Sequence, residues 1–328
     1  MQNNARALLI LLGLLVTIGT ARATLPIETW QTSAGTRVLF VETHDLPMVD
    51  VAVDFPAGAT PEEIDAVVEK AQAQGRVAMI YLESPANPTN VLVDVEAVAK
   101  VRDDRFGAGE DRPPIVIDNT FLGPLWHKPL AHGADIVVYS LTKYAGGHSD
   151  LVAGGALGSK AHINTIRSMR NTIGTILDPN SAWMLLRSLE TLELRLSRAG
   201  ENATKICAWL KQQPKVEKIV YLGFPENQRQ ADIYNRHCTG AGSTFSLYLK
   251  GGEAEAFAFL DALKIAKLAV SLGGTETLAS CPAAMTHLSV PDDRKAALGI
   301  TSNMVRISIG VEDADDLIAD FEQALDAV

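Results

Sequence analysis

One lysine, Lys143, stands in the run YSLTKYAGGHSD at residues 139–150, directly after the apolar triplet Ile136, Val137 and Val138. A lysine at the mouth of a buried strand is a candidate Schiff-base nucleophile. It attacks a carbonyl only as the neutral amine, and partial burial lowers its pKa toward that state. Ser140 and Thr142 add hydroxyl donors. Gly146 and Gly147 let the backbone approach an anion closely, which suits a phosphate. Asp118 ends another apolar run one crossover earlier, in VIDNTF at 116–121. Each residue alone has an ordinary reading: a lysine turned to solvent, a turn or helix-cap aspartate, hydroxyls bonding strand ends.

The elements that must position these residues follow from pattern. At Thr60 a helix begins, with Thr60 as N-cap, Pro61 at the first helical position and Glu63 completing a capping box; Gly75 ends it. Short apolar strands are expected at 77–83, 113–119 and 134–140, with another at 151–158. Between them lie a helix from Asp94 to about Arg102 and a short one around Leu130 and His132 that stops at Gly133. Strands alternating with helices indicate an α/β fold with a mostly parallel sheet. Chemistry in such sheets gathers at the carboxyl ends of the strands, where Glu83, Asp118 and Ser140 all lie. From about Asp178 the pattern changes to one long helix or two, then strands at 216–222 and 243–250 and a helix at 254–264. A strand at 304–310 and an amphipathic helix at 313–327 close the chain. The domains expected are a large one over 60–178, and a connecting helix with a smaller α/β domain over 179–328.

The chain has 328 residues and a formal net charge of −10, which argues against a nucleic-acid binder. Cys207, Cys238 and Cys281 are widely spaced and form no CxxC, so three reduced thiols are expected, with no zinc cluster. Residues 1–23 carry Arg6, a short apolar run and then Ala21, Arg22 and Ala23, the pattern of a secretory signal peptide. No other segment is apolar enough to span a bilayer. Strands are expected at 36–42 and 49–55, with His44 in a loop between them.

Lysine, aspartate and hydroxyls at adjacent strand ends favour a cofactor reading. A carboxylate at Asp118 would keep a pyridinium nitrogen protonated, as pyridoxal phosphate requires of its partner. Here the resemblance becomes specific. ESPANPT (83–89), VIDNTF (116–121), YSLTKYAGGHSD (139–150), SLGGTETLASCPAAMTH (271–287) and VRISIGVED (305–313) resemble, in order, the signatures of the Cys/Met-metabolism, or trans-sulfuration, enzymes. The resemblance runs from about Arg76 to the C-terminus.

It implies fold type I, with pyridoxal 5′-phosphate as cofactor. Lys143 would be the Schiff-base lysine and then the base that moves protons at the substrate. Asp118 would pair with the pyridine nitrogen, Ser140 and Thr142 would hold the phosphate, and Asn87 would bond near the phenolic oxygen. Arg306 would clamp the substrate carboxylate as a bidentate fork, helped by Ser271. Alone, Arg306 reads equally as an exposed ion-pair partner. The reaction implied is γ-elimination or γ-replacement on cystathionine, methionine or an O-acyl-homoserine, in a homo-oligomer, dimer or tetramer, working in the cytoplasm. His148 and Arg195 are expected to serve structure, and Cys281 and His287 to pack a loop.

Residues 24–59 are similar instead to the start of exported pitrilysin-like zinc peptidases, without their HxxEH helix. The trans-sulfuration family's early region supplies a glycine-containing phosphate loop, a ring-stacking tyrosine and a Tyr/Arg pair reaching the neighbouring subunit. No counterpart of these occurs here. The chain is therefore expected to be a fusion onto an N-terminally truncated enzyme, with a catalytically inactive chain as the alternative.

Overall fold

The computed structural model describes residues 59–109 and 111–328, together with the backbone of two strands nearer the N-terminus. The chain divides into two compact units, residues 1–50 and 51–328. In the first, β1 (Ile27–Gln31) pairs antiparallel with β2 (Arg37–Val41), Thr29 opposite Leu39. β2 is the strand expected at 36–42; β1 was not anticipated. The signal-like segment 1–23, His44 and the strand expected at 49–55 lie outside the described residues, as does most of the peptidase-like stretch.

Among the described residues of the second unit, the first helix is the capped Pro61–Gln74. The Thr60 hydroxyl accepts from the Glu63 N–H at 3.2 Å, and the Glu63 carboxylate accepts from the Thr60 N–H at 2.7 Å. Ile64 and Val68 turn inward from it. The helix Val95–Phe106 starts on Asp94, whose side chain accepts from the Ala97 N–H, and ends at Gly107. The two helices pack on each other and, with the sheet, bury Ile80, Leu82, Val98, Ile115 and Ile117.

That sheet has four strands: β3 (Ile80–Glu83), β4 (Ile115–Asp118), β5 (Ile136–Ser140) and β6 (Gly154–Gly158). The first three are parallel, with Glu83 beside Asp118 in the register, and β6 returns antiparallel on β5. The reversal has a local cause. Parallel neighbours need a crossover, usually a helix. The segment between β5 and β6 is instead a series of tight turns carrying Lys143.

The stretch after Asp178 resolves into two helices, Pro179–Leu189 and Leu192–Leu210. A second sheet follows, from β7 (Val216–Val220), β8 (Thr244–Leu249), β9 (Lys267–Leu268), β10 (Leu278–Ser280) and β11 (Met304–Ser308), in the order β7-β8-β11-β10-β9. All pairs are antiparallel except β9 with β10. Every residue of β8 and β11 is buried. Helices Leu192–Leu210, Glu253–Ala262 and Ala314–Asp326 cover the sheet with Ile206, Phe259, Leu317 and Phe321. Burying each such side chain contributes about 1.5–3 kcal/mol. Helices Lys160–Ile173, Gln228–His237 and Asp292–Ala297 were not read from the sequence. No helix among the described residues is long and apolar enough to cross a membrane.

Candidate active site

Lys143 lies three residues past the end of β5, in a loop held from several sides. Its N–H donates to the Ser140 carbonyl at 3.1 Å, and the Gly147 N–H donates to the Lys143 carbonyl at 2.7 Å. The next residue, Tyr144, is buried, its hydroxyl 3.0 and 2.8 Å from the Ser243 and Thr244 hydroxyls at the start of β8. Arg195 reaches the same loop. It donates to the Tyr144 and Ser188 carbonyls at 2.8 Å each and to the Ala145 carbonyl at 3.3 Å. It was expected to serve its helix or an ion pair; it bonds the Thr191 hydroxyl at the N-cap of its helix at 3.1 Å and the helical Ser188 carbonyl, and it also holds the loop carbonyls of Tyr144 and Ala145. Gly147 explains itself here. Its φ is +68°, and a Cβ would lie 1.8 Å from Arg195 Nη1. His148 bonds the Gly146 carbonyl at 2.6 Å, the structural role expected of it.

The Lys143 ammonium donates to Ser271 Oγ at 2.9 Å. Burial, and then the nearby Arg306 charge, lower its pKa. Arg306 comes from β11 and is buried. It donates from Nη2 to the Ser271 carbonyl at 2.9 Å and from Nη1 to Asn87 Oδ1 at 3.1 Å. Ser271 thus joins lysine and arginine, one through its side chain and the other through its backbone. Its φ of +99° is unusual for a residue with a side chain, a strain of about 1–3 kcal/mol that clusters at functional sites.

Asp118 ends β4. Its Oδ1 accepts from the Thr120 N–H at 2.9 Å and the Thr120 hydroxyl at 2.6 Å, while Tyr81 donates to Oδ2 at 3.4 Å. Thr120 also accepts the Ser140 N–H at 2.9 Å, tying β4 to β5. The Thr142 hydroxyl exchanges bonds with the Ala153 backbone, accepting at 3.0 Å and donating at 3.3 Å.

Two groups here were given no role in the sequence reading, although Glu83 was placed at a strand end. Glu83 accepts the Asn87 N–H at 3.3 Å. Its carboxyl is pushed up to about 7 by burial and the Asp118 charge, against the Asn87 N–H and Arg306. The signal was present, since Glu83 ends β3 as Asp118 ends β4. Thr120 was legible only as a hydroxyl two residues after a strand-end aspartate. A cleft of about 520 Å³ opens beside Glu83 and Asn87, bordered also by Tyr81, Thr89 and Ser289. Cys281 is buried, its thiol pushed up by burial, in keeping with loop packing. His287 is half-buried, its pKa lowered by burial and by Arg306.

The sequence profile of the Cys/Met metabolism PLP-dependent enzymes matches residues 28–326. The chain belongs to that family. An L-methionine γ-lyase of Fusobacterium nucleatum subsp. polymorphum is 36% identical over 287 residues, 87% of this chain and 70% of that protein. A cystathionine γ-lyase of Dictyostelium discoideum is 39% identical over 252 residues, 76% of this chain. Among solved structures, a cystathionine γ-lyase of Lactobacillus plantarum complexed with L-serine superposes with a TM-score of 0.72 at 36% identity, covering 80% of this chain. The chain spans 63% of the Dictyostelium protein and 67% of the Lactobacillus chain. The neighbours establish the α/β fold as fold type I, and the family is PLP-dependent.

The donor set fits that cofactor. The family's centre needs an amine that can lose its proton and a fixed carboxylate. Here burial and Arg306 lower the pKa of Lys143, and Thr120 locks Asp118 on the adjacent strand.

Proposed function

We propose that this chain is a PLP-dependent carbon–sulfur lyase or related transferase, acting by γ-elimination or γ-replacement on cystathionine, methionine or an O-acyl-homoserine. The observation that carries the reading is the bridge at Ser271. Through it a proton-transferring lysine and a carboxylate-binding arginine are held in one hydrogen-bonded unit.

Bound pyridoxal phosphate supplies an electron sink for the carbanion left at the substrate Cα. Asp118, oriented by Thr120, would pair with the ring nitrogen; Ser140 and Thr142 would hold the phosphate; Asn87 would bond near the phenolic oxygen. Arg306 exchanges its bonds to Asn87 and Ser271 for the two oxygens of the substrate carboxylate. The depressed pKa of Lys143 leaves more of its amine neutral, so Nζ can take the Cα proton and redeliver it. Ser271, already bonded to Nζ, keeps that amine aimed.

The three cysteines are unpaired, which favours a reducing compartment such as the cytoplasm. Self-association, as a dimer or tetramer, is supported by exposed apolar side chains on helices Lys160–Ile173 and Pro179–Leu189. Met169, Ile173, Trp183 and Leu186 are all more than half exposed. Light scattering on the purified chain measures that state.

The deciding experiment mixes the chain with pyridoxal phosphate, reduces with borohydride and maps the labelled peptide. The reading predicts label on Lys143, absent in Lys143→Ala, and release of ammonia and a 2-oxo acid from a sulfur amino acid. Label scattered over surface lysines would instead favour the inactive chain.

A further inference from the structure

Away from Lys143, three segments distant in sequence bring histidines and carboxylates together. Glu96 is in the first turn of helix Val95–Phe106, His132 closes the 3-10 turn Pro129–His132, and His237 is the last residue of helix Gln228–His237. Each offers one ligand atom, and these atoms all lie within 4.8 Å of one another.

His237 is the informative member. Its side chain is 0% exposed, and neither ring nitrogen has a hydrogen-bond partner. An unsatisfied buried polar atom costs about 1–3 kcal/mol. Its Nε2 is aimed at carboxylates, 3.6 Å from Asp94 Oδ1 and 3.8 Å from Glu96 Oε2, too far for a hydrogen bond. His132 Nδ1 is 2.9 Å from Glu96 Oε1, and its ring stacks on His237 with centroids 4.2 Å apart.

His127 stacks on both other rings, with centroids 6.3 Å from His132 and 6.1 Å from His237. Arg236 supplies the cation facing the carboxylates, donating to Asp94 at 2.7 Å and also to Glu96. One guanidinium therefore faces two carboxylates and a buried imidazole whose ring nitrogens lack hydrogen-bond partners.

We propose that Glu96, His132 and His237, with Asp94 as a further oxygen donor, form a transition-metal site that takes a divalent ion of the zinc class. Imidazole nitrogens with a carboxylate suit zinc, cobalt or nickel; magnesium and calcium want oxygen alone. An imidazole binds a metal in its ring plane, so bonds of about 2.0–2.2 Å require the ligand atoms to draw inward and His132 to turn out of its stack on His237. Glu96 and Arg236 are exposed enough to move: Glu96 turns from the guanidinium to the ion, and Arg236 swings to solvent. The ion would staple the end of helix Gln228–His237 to the start of helix Val95–Phe106. No step proposed for Lys143 depends on it.

The test is a titration of the full, tag-free chain with cobalt(II), read by the visible absorption of a four-coordinate ion, followed by displacement with zinc. One equivalent should bind. His132→Ala and Glu96→Gln, whose wild-type side chains reach the surface, should each weaken binding by more than the ~10–100-fold typical of losing an outer-shell partner. His237→Ala, which opens a buried site, is judged only if its circular dichroism is native. Arg236→Gln should tighten binding by removing the competing cation, and Cys238→Ser should leave it unchanged. Zinc should raise the unfolding temperature of the wild type and not of His132→Ala. Absence of the four-coordinate spectrum, or affinity unchanged in both His132→Ala and Glu96→Gln, overturns the proposal. These readouts do not need pyridoxal phosphate, so their failure leaves the lyase reading standing.

Discussion

The two sheets contribute to the centre differently. The four-stranded sheet delivers Glu83, Asp118 and Ser140 at the carboxyl ends of parallel strands and Lys143 just beyond, all half-buried. The five-stranded sheet delivers Arg306 from the middle of β11, a strand buried at every residue and paired on both sides. Loops at strand ends can adjust a reacting group's solvation. A central strand cannot move, which suits a fixed anchor for the substrate carboxylate. On the roles proposed for Lys143 and Arg306, proton chemistry and anchoring fall to structures of different stiffness.

The strongest break of this division is Lys143→Ala. It should lower kcat by about 10²–10⁴-fold, the range of general acid–base catalysis, and leave the unfolding temperature close to wild type. A large fall in stability instead would make Lys143 a structural residue.

On the stiff side, Phe245→Ala should destabilise the chain by about 3–5 kcal/mol, because it opens a cavity under β8. Ile173→Ser, on an exposed helix face, should change monomer stability by less than about 0.5 kcal/mol. Urea unfolding of both variants reads the contrast directly.

Arg306→Lys keeps the charge and loses the fork. A drop in kcat/KM of about 100-fold, carried mainly by KM, is expected, since a point charge replaces two directed bonds. An equal fall in kcat alone would move Arg306 from anchoring to chemistry.

Gly147→Ala tests the loop. The added methyl must displace Arg195 from the loop carbonyls at a left-handed φ, a penalty of about 1–3 kcal/mol. Loosened label on Lys143, seen as slower borohydride trapping, should accompany it.

Glu83 gives an effect that appears only as pH changes. Its carboxyl ionises at about 7 in the folded chain against an ordinary 4.5, so the folded state holds that proton more tightly. Its contribution to stability is full below about 4.5 and is lost as pH rises through 7. Glu83→Gln should flatten that fall in unfolding free energy, measured against wild type over the same pH range. Parallel curves would mean that Glu83 ionises normally.

Much of this was legible beforehand. Thr60 with Glu63, and Gly133 after His132, are local rules, and the structure obeys them because caps and left-handed turns involve only neighbouring backbone. The strands ending at Glu83, Asp118 and Ser140 announced themselves by short apolar runs. Helices Lys160–Ile173 and Gln228–His237 were not read from the sequence; none of the first and only Ile233 and His237 of the second are buried. β6 could be placed but not oriented, since pairing direction depends on the shape of the Lys143 loop.

The sequence by itself determined the chemical inventory and the strand ends that carry it. Residue type, apolar runs and ordered motifs are written in one dimension, and they named Lys143, Asp118 and Arg306 as a family's working groups. Only the tertiary structure decided that Ser271, 128 residues from Lys143, joins it to Arg306, that burial lifts Glu83 to about 7, and that His237 stacks on His127 and His132. The reason is physical. Desolvation and hydrogen-bond geometry belong to distances between residues far apart in the chain, and no spacing in the sequence encodes them.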